Sequence, residues 1–206
     1  MRVLITGASG FLGKHVVRAL SETGAEVTAG CRRLNDISED LQGMANWVTL
    51  DLNKPEQIDR ALSGQEVIIH LAASMLGTPQ AMFANTVNTT ELLFRHVKSM
   101  KRPLRRFIHI SSFAVYGVAD IEKGTTIDED SPLESKWNLR DPYSKAKLWQ
   151  ERVVREQCRE LDIEMVLLRP GSIYGYGGAL LSNRVVLQLP GIPFFIKVGK
   201  SAPLPI

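Results

Sequence analysis

Three glycines spaced three apart, Gly7, Gly10 and Gly13, follow the apolar run Val3 to Ile5 at the head of the chain. The run reads as a buried strand, and from about Phe11 to Ser21 apolar residues recur at helical spacing. A strand, a glycine turn and a helix in that order leave few folds open. Gly7 permits a tight turn out of the strand. Gly10 lets backbone N–H groups approach an anion with no Cβ between, and Gly13 lets the helix lie close on the strand. The helix start adds unpaired N–H groups and a positive dipole end, which suit the diphosphate of a dinucleotide. A plain β-turn-α connection uses glycine as well, but it does not call for three at this spacing beside both elements.

The rest of the chain continues the alternation. Ala25–Ala29 reads as a second strand, residues 33–43 as a polar loop, and Trp47–Leu50 as a third strand. Pro55 opens a helix to about Leu62, Val67–Leu71 is a fourth strand, and helical periodicity runs from Pro79 to about Met100. Arg106–Ile110 is a fifth strand. Ser111 to Asp141 is irregular, Pro142 opens a helix to about Leu161, and Glu164–Leu168 is a sixth strand. This order predicts an α/β fold, a doubly wound parallel (Rossmann) sheet of order 3-2-1-4-5-6. Its ligand crevice would lie at the carboxyl ends of strands one and four.

Composition narrows the function classes. A formal charge of +3 over 206 residues carries no block of like charges. Lys101-Arg102 and Arg105-Arg106 read as solvated surface, so no nucleic-acid partner is expected. Two cysteines, Cys31 and Cys158, make no disulfide framework, and no Cys/His spacing suggests a metal. No apolar run is long enough to span a membrane, and no leader pattern precedes the first strand. The expected location is the cytoplasm.

Several stretches then carry a resemblance: TGASGFLG at Thr6–Gly13, HLAA at His70–Ala73, SSFAVYG at Ser111–Gly117, YSKAK at Tyr143–Lys147 and LRPGSIYG at Leu168–Gly175. In this order they resemble the extended short-chain dehydrogenase/reductase family, the NAD(P)-dependent epimerase/dehydratase group of nucleotide-sugar enzymes. The resemblance implies an enzyme that moves a hydride between a nicotinamide and a substrate carbon. It implies cofactor contacts at Gly7, Gly10, Phe11, Leu12, Gly13, Leu71, Ala72 and Ala73, with Asp51 and Leu52 beside the adenine and Pro170 beside the nicotinamide. Residues 1–174 would be the dinucleotide-binding domain. Residues 175–206 would begin a small substrate lobe, truncated at Ile206. Its apolar residues Leu180, Leu181, Val185, Val186, Leu187, Leu189, Phe194 and Phe195 would need further elements, or a second copy in a homodimer, to cover them.

Tyr143 and Lys147, four apart near a helix start, share a face. A phenol with its pKa near ~10 is a poor base at neutral pH, and a nearby ammonium lowers that value. Tyr143 can then exchange a proton with a substrate hydroxyl. Lys147 would also bond the nicotinamide ribose, and Ser112, just past strand five, would orient the reacting oxygen. Ser111 reads as structural, and His70 as packed rather than basic. The stretch Asn85-Thr86-Val87-Asn88-Thr89 departs from the family's Asn-Val-x-Gly-Thr and reads chiefly as mid-helix packing.

The end of strand two, Gly30-Cys31-Arg32-Arg33, lacks the acid that bonds both ribose hydroxyls in NAD-selective relatives. Arg32 and Arg33 would instead pair with a 2′-phosphate, which favours NADP over NAD. The expected partner is a small molecule, a nucleotide sugar. Two alternatives stay open: an NADPH-dependent reductase of a non-sugar ketone or aldehyde, and a non-catalytic cofactor sensor. The complete set of Ser112, Tyr143 and Lys147 argues against the sensor.

Overall fold

The computed structural model describes residues 1–118, 121–122, 124–175, 186–189 and 192–195. Contacts group the chain into two compact units, Met1–Arg169 and Pro170–Ile206. The first unit is built on six parallel strands: β1 (Arg2–Thr6), β2 (Glu26–Cys31), β3 (Asn46–Thr49), β4 (Val67–His70), β5 (Arg106–Ile110) and β6 (Glu164–Leu168). Their spatial order is β3-β2-β1-β4-β5-β6, the expected doubly wound order.

Strand alternation divides the core between the two faces of the sheet. Leu4, Ile68 and Phe107 pack against α3 (Pro55–Leu62), α5 (Thr89–Lys98) and α6 (Pro142–Glu160) through Ile58, Phe94 and Val154. The Phe94 and Phe107 rings stack with centroids 4.6 Å apart. Val3, Ile5, Val27 and Ile69 lie on the other face, under Val17 of α1 (Phe11–Ser21) and Leu41 of α2 (Glu39–Gln42). The first row continues beyond its apolar part: Thr6, His70 and His109 follow Leu4, Ile68 and Phe107 on one face. A buried polar layer therefore forms at the carboxyl end of the sheet.

One predicted element is broken. The helical stretch that opens at Pro79 runs as α4 (Pro79–Phe83), a π-helical turn over Ala84–Asn88, and then α5. Threonine side chains compete with the backbone ladder at that turn. Thr90 Oγ1 donates to the Thr86 carbonyl at 2.6 Å, and Thr89 Oγ1 donates to the Asn85 carbonyl at 2.9 Å. Thr86 Oγ1 in turn accepts the Ser74 N–H at 2.9 Å, which ties the wide turn to the loop after β4.

In the second unit, β7 (Val186–Leu189) pairs antiparallel with β8 (Ile192–Phe195), Leu187 opposite Phe194. The expectations placed on Leu180, Leu181 and Val185, and on the side chains of Val186, Leu187, Leu189, Phe194 and Phe195, lie outside what is described.

Candidate functional site

The turn after β1 is held by its glycines. Gly7 has φ +69°, and a Cβ there would stand 3.0 Å from the Ala72 nitrogen, so the turn lies directly on the loop after β4. At Gly13 a Cβ would overlap the carbonyl oxygens of Gly7 and Ala8, so α1 sits against the turn only because the side chain is missing. Gly10 caps α1 with extended backbone and no side-chain bond, and the first turn holds no acid. The leading N–H groups have no carbonyl partner within the helix and favour an anion.

Beside this turn lies a crevice of about 410 Å³. Of the residues expected at a cofactor, Gly7, Gly10, Arg32, Asp51, Leu52, Leu71, Ala72 and Ala73 line it. Phe11, Leu12, Gly13 and Arg33 are not in its lining, and neither are Ser112, Tyr143 and Lys147. Pro170 is the first residue of the second unit, so its place at a cofactor rests on the resemblance alone. The two arginines differ. Arg33 is held by Asp36 at 2.9 Å, whereas Arg32 stands exposed at the crevice and forms no salt bridge among the described residues. Asp51 accepts from the Asn53 backbone and side chain at 3.0 and 3.1 Å, which shapes the turn that brings Asn53 to the crevice. Ser9, Asn53, Ser74, Asn85 and Thr89 also line it, and sequence reasoning assigned them no cofactor role. Asn85 and Thr89 belong to the stretch whose departure from the family's motif reads chiefly as packing, and their spacing of one helical turn is the signal that places both on one face.

Ser112 caps the short 3-10 turn Phe113–Val115, its Oγ accepting from the Ala114 N–H at 3.2 Å. The long loop that follows is pinned onto this turn: Arg140 donates to Glu134 at 2.9 Å and to the Ala114 carbonyl at 3.1 Å. Asp141 caps α6, with Oδ1 accepting the Tyr143 and Ser144 N–H groups at 3.1 Å each, and Pro142 supplies the first helical residue. That cap sets Tyr143, half-buried, one turn ahead of Lys147.

Lys147 is 2% exposed. Its Nζ donates to the Ile110 carbonyl at 2.7 Å and to Gln150 Oε1 at 2.5 Å. Burial pushes the ammonium down to about 7, against the opposing charge of Glu151. His70 Nδ1 meets Thr6 Oγ1 at 2.8 Å and its Nε2 meets Thr90 Oγ1 at 2.9 Å. Burial, then the Lys147 charge, bring His70 to about 3, so the imidazole is neutral and packed, in line with the sequence reading. His109, its ring 5.8 Å from that of His70, is also held neutral by burial and by Lys147. Neither of its ring nitrogens makes a hydrogen bond of good geometry among the described residues, although the His70 backbone lies near enough to favour its charged form slightly.

Beside this layer Glu151, 1% exposed, gathers a second network. Ser111 Oγ donates to it at 2.6 Å, and Arg169 donates through Nη2 at 2.7 Å and Nε at 3.1 Å. Burial raises the Glu151 carboxyl, but bonds from Arg169 and Ser111 outweigh this and hold it below the usual range. Arg169 also bonds the Tyr116 hydroxyl at 2.9 Å and lies over that ring. Of the two adjacent serines, then, Ser111 is tied into the structure, and Ser112 makes a local bond among the described residues. Among the described residues no group of His, Cys, Asp and Glu could hold a metal ion, and no helix is long and apolar enough to cross a membrane.

A six-stranded doubly wound sheet with a glycine-lined crevice at its carboxyl edge defines an α/β fold of Rossmann type. Residues 3–189 match the model of the NAD dependent epimerase/dehydratase family, and the chain belongs to that family. It is 33% identical over 180 residues to sterol demethylase protein B of Methylococcus capsulatus, covering 85% of this chain and 52% of that protein. It is 26% identical to the UDP-glucose 4-epimerase of Azospirillum brasilense, covering 98% of this chain and 56% of the other. The crystal structure of the UDP-glucuronic acid 4-epimerase of Bacillus cereus in complex with NAD superposes with a TM-score of 0.70 at 27% identity, covering 85% of this chain and 57% of that one. The chain spans about half the length of the curated relatives it matches.

Proposed function

We propose that the crevice binds NADP(H), in preference to NAD(H), and that the protein is an epimerase/dehydratase or reductase acting on a nucleotide-linked sugar. The observation that carries this reading is one edge of the sheet: Gly7, Ser9 and Gly10 of the first turn, exposed Arg32 and the loop Leu71–Ala73 share one crevice. These residues fit a dinucleotide. A side chain at Gly7 would fill the space beside Ala72, and the start of α1 offers N–H groups to a diphosphate. The Arg32 guanidinium is available for a 2′-phosphate, while Arg33 is engaged with Asp36. Bound there, the dinucleotide would supply the hydride acceptor or donor.

The chain's own residues supply the rest. Tyr143 exchanges the proton of the substrate hydroxyl, Ser112 orients that oxygen, and Lys147 holds the nicotinamide ribose. Membership of an NAD dependent family supports the hydride chemistry, and the UDP-sugar epimerases among the relatives support the sugar. A second reading, reduction of a non-sugar ketone or aldehyde, draws on Met75 and Leu76, 66% and 76% exposed, in the loop that leaves the crevice at Ser74.

Turnover with NADP(H) against panels of nucleotide sugars and of apolar ketones tests both. Tyr143→Phe should lower the rate by about 100-fold or more, with cofactor affinity within a few-fold of wild type. Undiminished turnover in Tyr143→Phe would refute the proton-transfer role. Turnover of ketones alone would replace the first reading by the second, and tight cofactor binding with no turnover would favour a sensor.

A further inference from the structure

Three elements meet at one amide. Gln150 of α6 is fully buried, and Lys147 Nζ donates to its Oε1 at 2.5 Å. Its Nε2 lies 3.1 Å from the Ala72 carbonyl, 3.0 Å from Thr90 Oγ1, 3.4 Å from the Thr86 carbonyl and 3.1 Å from His70 Nε2. The orientation is unambiguous: an ammonium only donates, so it takes the oxygen, and carbonyls only accept, so they take the NH₂. The amide cannot turn over without setting oxygen against oxygen and ammonium against NH₂.

Ala72 is part of the crevice lining, and its own N–H donates to Thr6 Oγ1 at 3.3 Å, one residue before Gly7. Thr86 belongs to the π-helical turn. Gln150 thus joins the loop after β4 and the wide turn before α5 to the lysine on α6. We propose that Gln150 is a positioning residue for Lys147, fixing the ammonium's place relative to the crevice through an amide anchored on Ala72, Thr86 and Thr90. The catalytic part of this inference rests on the role given to Lys147 under the proposed function; the positioning itself does not.

The chemistry requires such a device. An ammonium has three donors, and Ile110 and Gln150 take two of them, which fixes the direction of the third. The ionisable groups around it are His70 on β4, His109 on β5 and Glu151 on its own helix, the last neutralised by Arg169. Both imidazoles are held neutral, and Glu151 favours the charge on Lys147. A neutral acceptor at 2.5 Å bonds the charged form directly in a dry place, beside the charge of Glu151.

The test reads the lysine directly. In protein carrying ¹³C-labelled lysine, the Cε signal lost in Lys147→Arg is followed against pH in wild type and in Gln150→Met, which keeps the side-chain length and removes the polar end. The midpoint for Lys147 should fall by about one unit in Gln150→Met, the equivalent of one lost bond to a charged group. The alkaline limb of kcat should move down with it, KM for the cofactor changing less. A folded Gln150→Met that melts earlier but leaves the Lys147 midpoint and the limb in place would overturn the proposal and leave Gln150 a packing residue. Should Gln150→Met fail to fold, Thr90→Val loosens the amide's anchor without removing an acceptor from Lys147. It should give the same shift at smaller size, and no shift there would overturn the proposal equally. Because the midpoint needs neither substrate nor turnover, failure of the functional reading (no cofactor binding, no activity) is seen separately from failure of the positioning role.

Discussion

Glu151 and Arg169 show how much can depend on a pair that neither residue announces alone. The carboxylate is 1% exposed and its side-chain partner 9% exposed, so removing Arg169 leaves a charge in a dry site with only Ser111 and the more exposed Arg155 opposite. Arg169→Ala should cost about 3–5 kcal/mol in denaturant unfolding. Arg155→Ala, whose side chain is 44% exposed, should cost well under half of that. Similar losses for both would mean that the buried pair is no stronger than its surface neighbour. His70 makes a second residue-level prediction. Its imidazole titrates near ~6.5 when unfolded, and at about 3 in the fold. Between those values the unfolded chain binds a proton that the native state refuses. This contribution to stability is therefore present above about pH 6.5 and is lost as pH falls toward 3. The urea midpoint should decline over that window, and less steeply in His70→Gln; identical slopes would remove His70 from the account.

At the scale of elements, punctuation made much of the fold legible. Pro55 and Pro142 open α3 and α6 where expected, and β5 and β6 span the predicted residues, because proline at a helix start and short apolar runs act locally. The π-helical turn was not legible. Threonine hydroxyls there bond carbonyls three and four residues back, which leaves the apolar period intact. The polar layer under the site was hidden for a different reason. Lys147, Gln150 and Glu151 sit in a helix rich in charge, where solvent exposure is the ordinary expectation. Their partners lie 37, 78 and 18 residues away, at Ile110, Ala72 and Arg169. The contact of α1 with its turn is the element-level feature most open to test. Gly13→Ala would set a methyl against the carbonyls of Gly7 and Ala8, so it should destabilise by about 1–3 kcal/mol and weaken dinucleotide binding together. An unchanged melting temperature would mean that the helix has room to move away.

For the whole molecule, the first unit holds the crevice and the candidate catalytic residues, Ser112 after β5 and Tyr143 and Lys147 on α6, and membership of the epimerase/dehydratase family supports the chemistry proposed for them. The proposed cofactor choice turns on one exposed guanidinium, since Arg33 is already paired. The central claim, that this crevice is a site for NADP(H), is tested most directly by titrating the protein with NADPH and with NADH, reading nicotinamide fluorescence, in wild type and in Arg32→Ala. The account predicts saturable binding of one equivalent, tighter for NADPH, with Arg32→Ala weakening NADPH by about tenfold or more and leaving NADH nearly unchanged. Absence of saturable binding for both cofactors would contradict the claim outright, and equal affinities that Arg32→Ala does not separate would contradict the preference.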